Sequence, residues 1–147
     1  MMDTAAMAIV GRLIHLGNVM KASAGDTLKS YDLQYTDFDI IATLRRVGPP
    51  YSLTPTKLMA SVLLTSGAMT AALKRLEAKA LVDRPASSGD GRVRTVRLTQ
   101  SGQKLAAHAA QTRFREAATW TQNLSESEQA QLEQLLRKLC LHGNETA

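Results

Sequence analysis

The stretch from Leu63 to Arg84, LLTSGAMTAALKRLEAKALVDR, restricts the possible folds more than any other part of the chain. Met69, Ala72, Leu73 and Leu76 recur at i, i+3, i+4 and i+7, the spacing of one buried helical stripe. The opposite side of its N-terminal half carries Ser66, Gly67, Ala68, Thr70 and Ala71, where a solvated helix would carry Glu, Lys and Gln. A face of such small side chains permits close approach by something bulky. DNA fits that description, and so does a neighbouring helix.

The flanks of this helix narrow the choice of fold. Thr54 followed by Pro55 supplies a cap and a first-turn proline for a short helix carrying Leu58 and Met59. Val62 to Leu64 form a tight apolar turn, and Thr65 or Ser66 caps the longer helix. Short helix, turn and longer helix make a helix-turn-helix. Beyond it the period changes from 3.6 to 2. A β-prone segment ends at Pro85, a Ser/Gly/Asp loop runs from Ser87 to Gly91, and a return strand sets Arg94, Val96 and Leu98 on one face. This is a β-hairpin with a basic tip.

Helices are expected on both sides. Ile9, Leu13, Leu16 and Met20 form a stripe on a first helix that breaks near Gly25. A second helix starts with Thr36 as N-cap and runs through Phe38, Ile41 and Leu44 to the sequence RVGPPY. A long helix from Thr99 or Ser101 passes through Leu105, Ala109 and Phe114 to about Asn123. Ser125 and Glu128 make a capping box for a last helix that buries Leu132, Leu135, Leu136 and Leu139. The expected architecture is mainly α with a small β-hairpin wing: a winged helix-turn-helix DNA-binding domain over residues 36–100, between an N-terminal dimerisation helix (1–35) and C-terminal dimerisation helices (101–147).

Charge separates the middle of the chain from its ends. The chain carries a net +5, and residues 54–104 alone hold nine basic against three acidic side chains. The whole surplus belongs to the winged segment, which is the footprint of a phosphate-binding module. Two Phe, one Trp and three Tyr leave little to stack on unpaired bases, so duplex is favoured over single strand. The single cysteine, Cys140, excludes an internal disulfide and a cysteine-based zinc site and fits a cytoplasmic protein. His15, His108 and His142 are scattered, and neither HExxH nor GxSxG occurs, so no enzyme, metal site or cofactor is expected.

A helix entering the major groove needs small or hydrogen-bonding residues at its N-terminal end. Ser66, Gly67 and Thr70, with Lys74 and Arg75, are therefore the expected contacts of the helix with double-stranded DNA. At the hairpin, Asp90 stands beside Arg92 and can orient its guanidinium for a narrow minor groove. Arg84 and Arg94, near the loop's base, are within reach of phosphates. An architectural DNA-binding or protein-interaction module without ligand response is the alternative, and only a specificity ratio separates it from a regulator.

The segments LTPTKLMASVLLTSGAMTAALKRLEAKALVDR and SGDGRVRTVRLTQSGQKL resemble the MarR family of winged-helix transcription regulators from about Leu33 to Leu105. Leu76, Glu77, Leu81, Val82 and Arg84, the Asp-x-Arg of Asp90 and Arg92, and the LTQSG of 98–102 carry the likeness. The resemblance implies a homodimeric repressor of a pseudo-palindromic operator, with a small ligand that relieves repression. The stretch FDIIATLRRVGPPYSLTPTKLMASVLLTSGAMT is similar to the branch containing urate-responsive members, which implies an anionic aromatic ligand. That branch has an aspartate where Asp39 stands. It differs in a first-helix tryptophan, absent here, and in a Thr-Asn-Arg that is Thr70, Ala71 and Ala72 in this chain.

Arg12, His15, Asp39 and Arg46 are the expected ligand-binding residues, on helices bordering the dimer cleft. Cys140 is expected as a buried interface thiol near Leu139 and Leu141 rather than a redox switch. Ala80 occupies a post-helix position usually held by Gly, at a cost of about 1 kcal/mol if left-handed.

Overall fold

The computed structural model describes residues 4–62, 64–85 and 94–146. The chain divides into two units, Met1–Arg113 and Phe114–Ala147. The first holds α1 (Thr4–Lys29), α2 (Tyr35–Arg46), β1 (Ser52–Leu53), α3 (Pro55–Val62), α4 (Ser66–Ala78), β2 (Val82–Asp83), β3 (Val96–Leu98) and most of α5 (Gln100–Thr121). The second holds the end of α5 and α6 (Glu126–Thr146).

The core of the first unit is built around α2 and α4. Ile40, Ile41 and Leu44 of α2 meet Met69, Ala72, Leu73 and Leu76 of α4, and Leu58 of α3 completes the cluster. Val96 and Leu98 add the buried face of the sheet. The alternation of Val96, Arg97 and Leu98 between core and solvent is that of a half-buried strand. The sheet has three antiparallel strands in the order β1-β3-β2, with Val82 opposite Leu98 and Asp83 opposite Arg97. The two-residue β1, opposite Val96 and Arg97, lies outside the expected hairpin. Its backbone pairing, not its sequence, makes it a strand.

Helix ends account for most local structure. The Lys57 amide donates to Thr54 Oγ1 at 3.3 Å, and the Ala68 amide to Thr65 Oγ1 at 3.2 Å, so both caps of the helix-turn-helix form. In the second unit the Ser125 amide donates to Glu128 Oε2 at 2.8 Å and the Glu128 amide to Ser125 Oγ at 3.3 Å, a reciprocal capping box.

Two expectations need correction. The first helix does not break near Gly25, because Ala24 and Leu28 are buried in the same turn and offset the roughly 1 kcal/mol cost of a helical glycine. The N-cap of α2 is Gln34 rather than Thr36, with the Asp37 carboxylate accepting the Gln34 amide at 3.0 Å. Leu132, Leu135, Leu139 and Cys140 of α6, expected at a dimer interface, are exposed within the single chain. Met7, Ile9, Val10, Leu13, Ile14 and Leu16 likewise leave an apolar stretch of α1 uncovered.

The joint between α4 and α5 is closely fitted. Ala80 adopts a left-handed conformation, φ 52°, immediately after α4. Its carbonyl accepts from Thr99 Oγ1 at 2.8 Å and from Ser101 Oγ at 3.0 Å. The Thr99 hydroxyl also accepts the Gly102 amide at 3.1 Å, capping α5. A Cβ on Gly102 would stand 2.1 Å from the Leu81 carbonyl oxygen. The LTQSG sequence is thus a clasp that ties the exit of α4 to the start of α5.

Candidate nucleic-acid interface

Burial of Met69, Ala72, Leu73 and Leu76 fixes the rotation of α4 and turns Ser66, Gly67, Thr70, Ala71 and Lys74 outward. These five line an open depression of about 460 Å³. A Cβ placed on Gly67 would meet nothing within 4 Å, so no packing among the described residues requires a small residue there. The Thr70 hydroxyl donates to the Ser66 carbonyl at 2.9 Å. Free amides at the capped N-terminus and a positive dipole end make this the side of the helix that favours phosphate.

Arg75 is not on this face. Its Nη2 lies 2.7 Å from Asp37 Oδ1 and its Nε 3.1 Å from the same oxygen, while Nη2 also donates to Thr36 Oγ1 at 3.3 Å. The Asp37 side chain is 1% exposed, so the guanidinium is drawn to a buried charge. The reason is cost: a carboxylate in the core without a partner is far less stable than one held by a fork of donors.

The basic block divides in two in the same way. Lys79 pairs with Asp32 at 3.0 Å, Arg84 with Glu77, and Arg97 with Asp83 at 2.7 Å. The Asp83–Arg97 pair joins residues directly opposed on β2 and β3, and the paired guanidinium holds the Asp83 carboxyl below its usual range. Lys57, Lys74, Arg94 and Lys104 have no ion-pair partner among the described residues. Asp90 and Arg92 lie outside the described residues.

Of the expected ligand residues, Asp39 and Arg46 come together on α2, whereas Arg12 donates to the Ala8 carbonyl at 3.1 Å and His15 is exposed on α1. Asp39 is half-buried. Burial raises its carboxyl above the usual value, and the positive charges of Arg113, Lys21 and Arg46 pull it partly back. Tyr35 belongs to the same group: Lys21 Nζ is 5.9 Å from its ring centroid, and burial and Asp39 raise its hydroxyl. Lys21, Tyr35 and Arg113 were not legible as partners of Asp39, since they come from three helices with no shared motif. No cluster of three or more His, Cys, Asp or Glu placed to hold a metal occurs among the described residues. No single helix there is long and apolar enough to cross a membrane.

Comparison with known proteins follows the same outline. A family model described as MarR family matches residues 31–93, which take in α2, α3, α4 and β2. The multiple antibiotic resistance protein MarR of Salmonella typhimurium is 30% identical over 132 residues, covering 88% of this chain and 90% of that protein. The chain belongs to the MarR family. This MarR-family protein is therefore a DNA-binding winged-helix transcription regulator. It is also similar to the transcriptional regulator PecS of Dickeya dadantii, 27% identical over 141 residues, with 96% of this chain and 85% of PecS covered. Among solved structures, a mutant MarR from E. coli complexed with operator DNA superposes with a TM-score of 0.77 at 27% identity, covering 95% of this chain and 99% of that one.

Proposed function

We propose that this protein is a cytoplasmic, homodimeric repressor of a pseudo-palindromic operator, without enzymatic activity, released by a small anionic aromatic ligand. The carrying observation is the outward face of α4, where Ser66, Gly67, Thr70, Ala71 and Lys74 are exposed and small or cationic, and where no described neighbour crowds Gly67. Arg92 is assigned to the flanking minor groove, with Arg84 and Arg94 on the adjacent phosphates. The operator DNA in the MarR structure from E. coli supports this use of the shared fold. The uncovered apolar residues of α1, Ile9 and Leu13 among them, support a second copy as partner.

Asp39, with Tyr35 and the cations Lys21 and Arg46, supports the ligand part of the reading, because positive charge gathered at a half-buried carboxylate favours an anionic group beside it. Such an anion disfavours the ionised form of Asp39 and so raises its carboxyl further.

Selection of duplexes from a random pool by the full-length protein tests the proposal. Enrichment of inverted repeats whose halves lie about one helical turn apart supports it. Retention of all sequences alike means an architectural binder and overturns it. Salicylate, benzoate and urate titrated into the selected complex test release, and unchanged binding with all three removes the ligand from the account.

A further inference from the structure

We infer that the α4 face reads its half-site chiefly through thymine 5-methyl groups, buried against Thr70 and Ala71, rather than through guanine or adenine edges. The inference rests on the reading of α4 as the recognition helix. Bidentate recognition of guanine calls for Arg or Lys, and that of adenine for Asn or Gln. The helix SGAMTAALKRLEA contains neither Asn nor Gln. Its single arginine, Arg75, is held by Asp37 and Thr36. Lys74 is the one cation on the outward face, two turns from the N-terminal end where base edges are met.

What remains at the front of the helix is small: the Ser66 hydroxyl, which bonds to any base and so discriminates little, and the methyl groups of Thr70 and Ala71. Ala71 offers only its methyl group. The Thr70 hydroxyl is turned to the Ser66 carbonyl at 2.9 Å, which leaves the γ-methyl as the group available for burial. Gly67, with open space where a Cβ would stand, lets the backbone come close enough for such short side chains to touch bases. Apolar contact with the thymine methyl is the readout this chemistry allows.

The test uses the full-length protein and duplexes it selects from a random pool, with each enriched thymine replaced by uracil and each enriched guanine by 7-deazaguanine. Uracil at the critical position is expected to weaken binding about fourfold per half-site, and about fifteenfold in both, from the loss of one buried methyl each. Ala71→Gly is expected to erase that sensitivity, and Ala71→Asn to move the preferred base there to adenine. Tolerance of uracil everywhere, with strong losses on 7-deazaguanine, overturns the inference and leaves DNA recognition by α4 standing. Failure to enrich any sequence overturns that recognition, and this inference with it.

Discussion

Arg75 Nη2 stands 2.7 Å from Oδ1 of Asp37, and this pair joins the helix that faces outward to the helix at the centre of the core. The same carboxylate accepts the Gln34 amide at 3.0 Å, so one buried side chain both starts α2 and fixes α4. Asp37→Ala is expected to lower stability by about 3–5 kcal/mol, the cost of removing one partner from a buried pair. Replacing both residues with apolar ones is expected to recover much of that loss. Urea denaturation of the three variants measures it; equal stability of Asp37→Ala and wild type contradicts the assignment.

Lys74 and Arg75 are adjacent in sequence, but Lys74 is exposed on the outward face while Arg75 is bonded to Asp37. Lys74→Ala is expected to reduce the slope of log K against log salt by about 0.9 per protomer, the counterion equivalent of one lost phosphate contact. Arg75→Ala, studied where the variant is still folded, is expected to leave the slope unchanged. Identical slopes for both variants would refute this division of labour.

How much of this is visible in the sequence depends on how local the physics is. Caps written within three or four residues, Thr54, Thr65 and the Ser125–Glu128 pair, form as the sequence implies. So does the left-handed Ala80. Features that depend on distant partners were not legible. Arg75 finds a carboxylate 38 positions away, and Thr36 serves that arginine instead of capping its helix. Gly25 stays helical because Ala24 and Leu28 find a core. The leucines of α6 have the period of a buried stripe, but a single chain does not bury them.

The joint between α4 and α5 gives a prediction in two directions. Gly102→Ala is expected to cost at least about 1–3 kcal/mol as overpacking, since the new Cβ meets backbone rather than a movable side chain. Ala80→Gly is expected to stabilise by about 1 kcal/mol, because the left-handed backbone is already in place. Thermal unfolding of both variants checks the signs.

Asp39 makes stability depend on pH. Its folded carboxyl holds a proton more tightly than in the unfolded chain, chiefly through burial. Its contribution is therefore fully present below the unfolded pKa and is lost as pH rises through the raised folded value. Asp39→Asn does not ionise, so its melting temperature relative to wild type is expected to climb from acid to neutral pH. A difference that stays flat or falls contradicts the direction of the shift.

Sequence reading by the outward face of α4 is measured most directly by fluorescence anisotropy over a salt series, with the duplex selected by this protein and a scrambled one. The account predicts a preference of about a thousandfold or more for the selected duplex, reduced when Ala71 and Thr70 are both replaced by Glu. Equal, steeply salt-dependent affinity for both duplexes would contradict it.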